Sequence, residues 1–271
     1  MLRFMAVQAV IFDWGGTLTP WDGVDRGALW QQACAPHFPA DQAGSVAAAL
    51  LAAENGCWAQ CETEHSSATL ARIFTAAGVE GREEFIETYF GLWEPHTYTD
   101  PDVAPLLRLL RERSIKVGVL SNTVWPRALH ERVFRRDGVL ELIDGAVYSS
   151  EIPWTKPHPE AFLAAMAAIG VSDPSSCVFV GDRPFDDIYG AARLGMRTVF
   201  IPHSGLPPYE GAVPDAVISR LAELPGLLDR WLDEGGGPGV EQRLQQPVER
   251  PLEQGLERPL EQGVEQPLEQ R

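Results

Sequence analysis

Phe12-Asp13-Trp14-Gly15-Gly16-Thr17-Leu18-Thr19 closes a run of mostly strand-forming residues that starts at Val7 and turns polar at Asp13. A continuous apolar run ended by paired glycines suits a strand buried on both faces in a parallel sheet. Five similar runs follow, at residues 115–120, 145–148, 177–180, 198–201 and 216–218. Helical patterns lie between them, at 103–113, 126–134, 159–169 and 187–194. Strands alternating with helices of that length predict βαβ crossovers and a doubly wound parallel α/β sheet.

Three further polar signals sit just after apolar runs: Ser121-Asn122, Lys156 in Lys-Pro-His-Pro, and Asp182 with Asp187 in Gly-Asp-Arg-Pro-Phe-Asp-Asp. Loops at the carboxyl ends of neighbouring parallel strands converge on one crevice, so these groups can meet although far apart in the chain. Between Pro20 and about Trp93 the strand signal vanishes. Four helical segments replace it, at 26–34, 42–63, 67–77 and 82–93. The organisation expected is a core of residues 1–20 and 95–234, a helical insert of residues 21–94, and a C-terminal segment of residues 235–271. That last segment is an eight-residue repeat, as in Pro247-Val-Glu-Arg-Pro-Leu-Glu-Gln254 and the two copies after it. Pro or Gly every four residues prevents a continuous helix, so the reading is a disordered tail, or a weak docking tail for an unidentified partner.

A chain of 271 residues with 45% hydrophobic content can bury a substantial core and a smaller one. Its net charge of -16 argues against nucleic acid or an anionic membrane surface as a general partner. The N-terminal residues show neither a cleavage site nor an apolar stretch of membrane-spanning length. The four cysteines, Cys34, Cys57, Cys61 and Cys177, form no dense framework, and reduced thiols in the cytoplasm are expected.

Asp13 at a strand end, facing a glycine turn that lets backbone approach a phosphate, is a candidate nucleophile. Ser121 offers a hydroxyl, and the local amides at Ser121-Asn122 can bind a phosphoryl oxygen. Lys156, one of only two lysines, is a charge clamp beside the carboxylate. Hard oxygen ligands at Asp182 and Asp187 suit Mg2+. Each signal alone also has a structural reading as a turn, a cap or a solvated side chain. Cys57, Cys61 and His65 fall on one helical face, which reads as packing rather than as metal ligation. Trp21 and Trp154 flank the first and third motifs and are expected to line a substrate pocket.

The four motifs in this order resemble the haloacid dehalogenase superfamily, over roughly residues 7–231, and the insert resembles its small helical cap. The resemblance implies a Mg2+-dependent hydrolase of a small phosphorylated substrate, working through an aspartyl-phosphate on Asp13. It places Gly16, Thr17, Ser121, Asn122 and Lys156 around the phosphate. Asp13, Asp182 and the Gly15 carbonyl fall at the metal, with Asp187 supporting the site and Asp186 competing for that role. One position departs from the pattern. Most phosphatases of the superfamily carry a second Asp where this chain has Gly15, and that Asp protonates the leaving group and then activates water.

General acid–base catalysis is typically worth ~10²–10⁴ in rate, so alkyl phosphates should suffer most from its loss and aryl or acyl phosphates least. Asp22 or Asp25 of the insert could replace the missing acid. Two alternatives stay open: a catalytically weak phosphate-binding or interaction protein, and a carbon–halogen hydrolase. The phosphonoacetaldehyde hydrolases, whose first motif is similar, use a cap lysine, and residues 21–94 contain none.

Overall fold

The computed structural model describes residues 7–20 and 23–233. The expected C-terminal tail therefore lies outside the described residues, as do Trp21 and Asp22. Strand β1 (Ala9–Phe12) is wholly buried, as a continuous apolar run requires in a sheet covered on both faces. After it come four insert helices, α1 (Arg26–Cys34), α2 (Ala40–Glu64), α3 (Leu70–Ala77) and α4 (Glu83–Trp93). The core resumes with α5 (Val103–Glu112), β2 (Lys116–Ser121), α6 (Arg127–Arg136), β3 (Gly145–Tyr148), α7 (Pro159–Ala168) and β4 (Cys177–Gly181). A π-helical turn (Pro184–Tyr189) leads into the short α8 (Gly190–Arg193), then β5 (Arg197–Phe200), β6 (Ala216–Val217) and α9 (Leu224–Asp233).

The six strands form one parallel sheet in the order β3-β2-β1-β4-β5-β6. Phe12 is level with Val119 of β2 and with Val180 of β4. One or two residues further on in each strand, Asp13, Ser121 and Asp182 therefore emerge together at the carboxyl edge. One sheet face packs Val10, Phe12, Val117 and Val119 against α5 and α9, and the other packs Ile11, Leu120 and Phe179 against α7.

The insert has its own core around Trp30, Leu50, Ile73 and Phe85. Trp30 stacks on Tyr89 with ring centroids 3.8 Å apart, and its Nε1 donates to the buried Glu54 at 2.8 Å. Arg26 pairs with the other oxygen of Glu54 at 3.3 Å, so this buried carboxylate is satisfied on both sides. Asp25 and Thr69 accept from the amides of Ala28 and Arg72 and so start α1 and α3. Trp14, just after Asp13, packs on Trp125 and on His130, which joins the insert core to the sheet.

Two expectations need amendment. The last crossover helix, expected to begin at residue 187, begins at Pro184 as a π-turn. There the Arg183 carbonyl accepts from both Asp187 and Ile188. Proline at the first helical position costs nothing, because its missing N–H would have had no partner there. Cys57 and Cys61 are buried in the insert core, as a packed face requires, but α2 ends at Glu64 and His65, capping it at φ 51°, leaves that face; burial pushes the Cys61 thiol up to about 11. No helix among the described residues is long and apolar enough to cross a membrane.

Candidate active site

The end of β1 passes into a tight turn organised by one acceptor. The Trp14 carbonyl takes hydrogen bonds from the amides of Thr17, Leu18 and Thr19, and Gly16 donates to the Thr19 carbonyl at 2.7 Å. Among the described residues, the amides of Trp14 and Gly15 find no acceptor and the Gly15 carbonyl finds no donor. Successive backbone N–H groups without an acceptor among the described residues, at the end of a parallel strand, are the kind of donor pair that meets an anion. They give no sign in the sequence beyond the glycines. Gly16 lies at φ 84°, and a Cβ there would stand 2.2 Å from Oδ2 of Asp182. The residue is glycine for both reasons.

Asp13, Lys156, Asp182 and Asp187 are all buried. Lys156 Nζ bridges Asp13 Oδ1 at 2.8 Å and Asp187 Oδ1 at 2.6 Å. Asp187 Oδ2 accepts from the Arg183 amide at 2.9 Å, so its own turn holds it in place. Gly181 makes room for it, since a Cβ there would meet Asp187 Cγ at 2.4 Å. Asp186 turns instead toward Arg183, at 3.4 Å. Oxygens of Asp13, Asp182 and Asp187 lie within 4.8 Å of one another, and Asp182 Oδ1 is buried with no hydrogen-bond partner.

Asp13, Asp182 and Asp187 share one buried ammonium, and the nearby Arg183 guanidinium is partly exposed and already paired with Asp186, so the site is short of positive charge. Burial, with Asp13 and Asp187 nearby, pushes Asp182 up to about 8. Burial also raises Asp187, although Lys156 opposes the rise. For Lys156, burial works against the charged form, but Asp13 and Asp187 outweigh it and hold the ammonium above its ordinary range.

Ser121 is buried at the end of β2, and the Thr17 hydroxyl is buried without a partner. Asn122 presents both ends of its carboxamide to Lys156: Oδ1 accepts from the Lys156 amide at 2.8 Å and Nδ2 donates to its carbonyl at 3.0 Å. The insert reaches the same stretch. The Ser67 amide donates to the Pro153 carbonyl at 3.0 Å and the Thr155 amide to the His65 carbonyl at 2.9 Å, around an antiparallel bridge of Ser66 with Trp154. Trp154 itself stacks on His158 at 4.0 Å. Asp25 is exposed, with its carboxylate engaged as the α1 cap. His130 is fully buried and pushed down to about 3 by desolvation, so it is a neutral packing partner of Trp14 and Tyr148.

The family description "haloacid dehalogenase-like hydrolase" fits residues 7–195, well over half of the chain. The chain belongs to that family. A glyceraldehyde 3-phosphate phosphatase of Methanopyrus kandleri is 35% identical over 142 residues, which cover 51% of this chain and 58% of that protein. The hydrolase thus spans less than two thirds of that relative's length. A phosphonoacetaldehyde hydrolase of Bordetella avium is 30% identical over 214 residues, covering 73% of this chain and 72% of the other. The crystal structure of a phosphatase of the family from Thermococcus onnurineus superposes with a TM-score of 0.59 at 23% identity, covering 82% of this chain and 97% of that one, a likeness of fold.

Proposed function

We propose that this hydrolase is a Mg2+-dependent phosphatase of small phosphorylated compounds that works through an aspartyl-phosphate on Asp13. The observation that carries the reading is the buried Lys156 bridge between Asp13 and Asp187 beside an unpartnered oxygen of Asp182. The donor set fits Mg2+, because every group is a hard oxygen and the orphaned Asp182 Oδ1 lacks a cation to meet. Asp13, Asp182 and the Gly15 carbonyl would hold the ion, with Asp187 in support. When bound, it offsets the negative charge gathered by the carboxylates and the phosphoryl group.

The chain's own residues do the rest. An Asp13 oxygen attacks phosphorus, a phosphorus–oxygen bond forms, and the bond to the leaving alkoxide or phenoxide breaks. Water then attacks phosphorus in the mixed anhydride, releasing phosphate and restoring the carboxylate. Lys156, the Ser121 hydroxyl, Thr17 and the amides of Trp14 and Gly15 surround the phosphoryl oxygens, while the Gly16 amide stays on the Thr19 carbonyl and shapes the turn. Asn122 serves this arrangement by fixing the Lys156 backbone. Gly15 supplies no proton, so good leaving groups are the preferred substrates. Residues 21–94 act as the cap that selects among them, over a core of 1–20 and 95–234. A phosphonate-cleaving route through a cap lysine has no residue to use, since residues 21–94 hold no lysine.

The test is release of phosphate from a panel of phosphorylated metabolites and an aryl phosphate, with and without Mg2+, for the natural chain and Asp13→Asn. Turnover that needs both Mg2+ and Asp13 supports the reading. Full activity of Asp13→Asn removes Asp13 from the mechanism, and Mg2+-independent release of halide from 2-haloacids replaces phosphatase with dehalogenase chemistry.

A further inference from the structure

Two consecutive residues in the loop after β5 grip the two loops that carry the site. His203 Nδ1 donates to the Gly16 carbonyl at 3.0 Å, and Ser204 Oγ donates to the Asp182 carbonyl at 2.6 Å. The other ring nitrogen of His203 faces the Ser219 carbonyl, just beyond β6, at 3.3 Å. Neither side chain bonds to Asp13, Lys156 or Asp187 among the described residues. Both act on main chain, at the two points where the nucleophile loop and the acidic loop touch.

That contact leaves no slack. A peptide unit is planar, so fixing the Gly16 carbonyl also fixes the plane it shares with Thr17. Gly16 is already tied through its amide to the Thr19 carbonyl, and its α-carbon faces the Asp182 carboxylate so closely that a Cβ would overlap it. With Asp182 held through its own carbonyl from the neighbouring residue, the separation of the two loops is set from one place. We propose that His203 and Ser204 are positioning residues forming a latch that fixes the nucleophile loop against the acidic loop. Its kinetic consequence rests on the phosphatase reading, while its structural consequence does not.

Misplacement of a nucleophile by even 1 Å is costly in rate. His203→Ala should lower kcat for an aryl phosphate about 3- to 10-fold, the range of one hydrogen bond's net worth, and leave KM within about twofold. His203→Asn keeps an N–H donor at the same reach and should recover most of the loss. Ser204→Ala should behave like His203→Ala, and Ser204→Thr, which keeps the hydroxyl, like the natural chain.

Amide hydrogen exchange across residues 13–19, measured on the same proteins without substrate, gives a readout independent of turnover. Protection there should fall in His203→Ala and return in His203→Asn. Unchanged exchange in His203→Ala overturns the latch, as does a His203→Asn variant no better than His203→Ala. If the natural chain hydrolyses no phosphate ester, the phosphatase reading fails by itself, and the exchange pattern still decides for or against the latch.

Discussion

Replacing Asp182 by Asn should silence the enzyme and at the same time stabilise its metal-free form. The carboxyl of Asp182 is buried between Asp13 and Asp187 with one oxygen unpartnered, and these surroundings push it up to about 8. Its ordinary value is about 3.9. The folded chain therefore binds more protons than the unfolded chain between those values, and its stability falls as pH rises through that window. The contribution is fully present below about pH 4 and is lost by about pH 8, at up to about 1.4 kcal/mol per pH unit for each proton. Asn keeps the shape and carries no charge, so the variant escapes this loss. After allowing for its own buried amide, a gain of at least ~1 kcal/mol at pH 7.5 is expected, or about 2–4 °C in Tm.

Thermal unfolding in EDTA at pH 5.5 and 7.5 reads the effect: the natural chain should lose Tm between the two and Asp182→Asn should lose less. Excess Mg2+ should reverse the order of stabilities, since a ligand at 100 times its Kd adds about 2.7 kcal/mol to a protein that binds it. A variant less stable than the natural chain in EDTA at pH 7.5 would refute the picture of a site short of positive charge.

Lys156→Met should destabilise the fold by about 3–5 kcal/mol, because it strands Asp13 and Asp187 in a buried site without their cation; the urea midpoint measures it. Gly15→Asp should raise hydrolysis of alkyl phosphates at least ~10-fold by supplying the missing acid and base. In the natural chain, rapid-quench kinetics with an aryl phosphate should show a burst stoichiometric with enzyme, as the aspartyl-phosphate forms faster than it is hydrolysed. Trp30→Phe removes the indole donor to Glu54 and should cost about 1–3 kcal/mol, seen as a lower Tm, with no change in Mg2+ dependence.

The core strands were legible to within two residues because a strand buried on both faces writes itself as an unbroken apolar run, and the register then carries Asp13, Ser121 and Asp182 to one edge. Lys156 and Asp187 were legible for a related reason, as rare or acidic residues just beyond such segments. The π-turn at Pro184 was not, because a wide turn has the same residue pattern as an ordinary helix start. Nor was the Asn122 grip on Lys156, which depends on two loops meeting 34 residues apart. His203 and Ser204 lie beyond every motif, in an otherwise ordinary connection, and they act on main-chain groups. Contacts to main chain leave almost no trace in residue type, and that limits sequence reasoning at this site.

The clamp between residues 65–67 and 153–155 has the same character, with a different outcome. Its bonds run from main chain to main chain and end one residue before Lys156, so docking of the insert and placement of the ammonium are a single event. The side chains of these segments take no part in the bonds themselves, although His65 packs on Phe185 of the core. Exposed positions of the clamp, Pro153 among them, can therefore vary without disturbing the placement of Lys156, since the clamp is written in main chain.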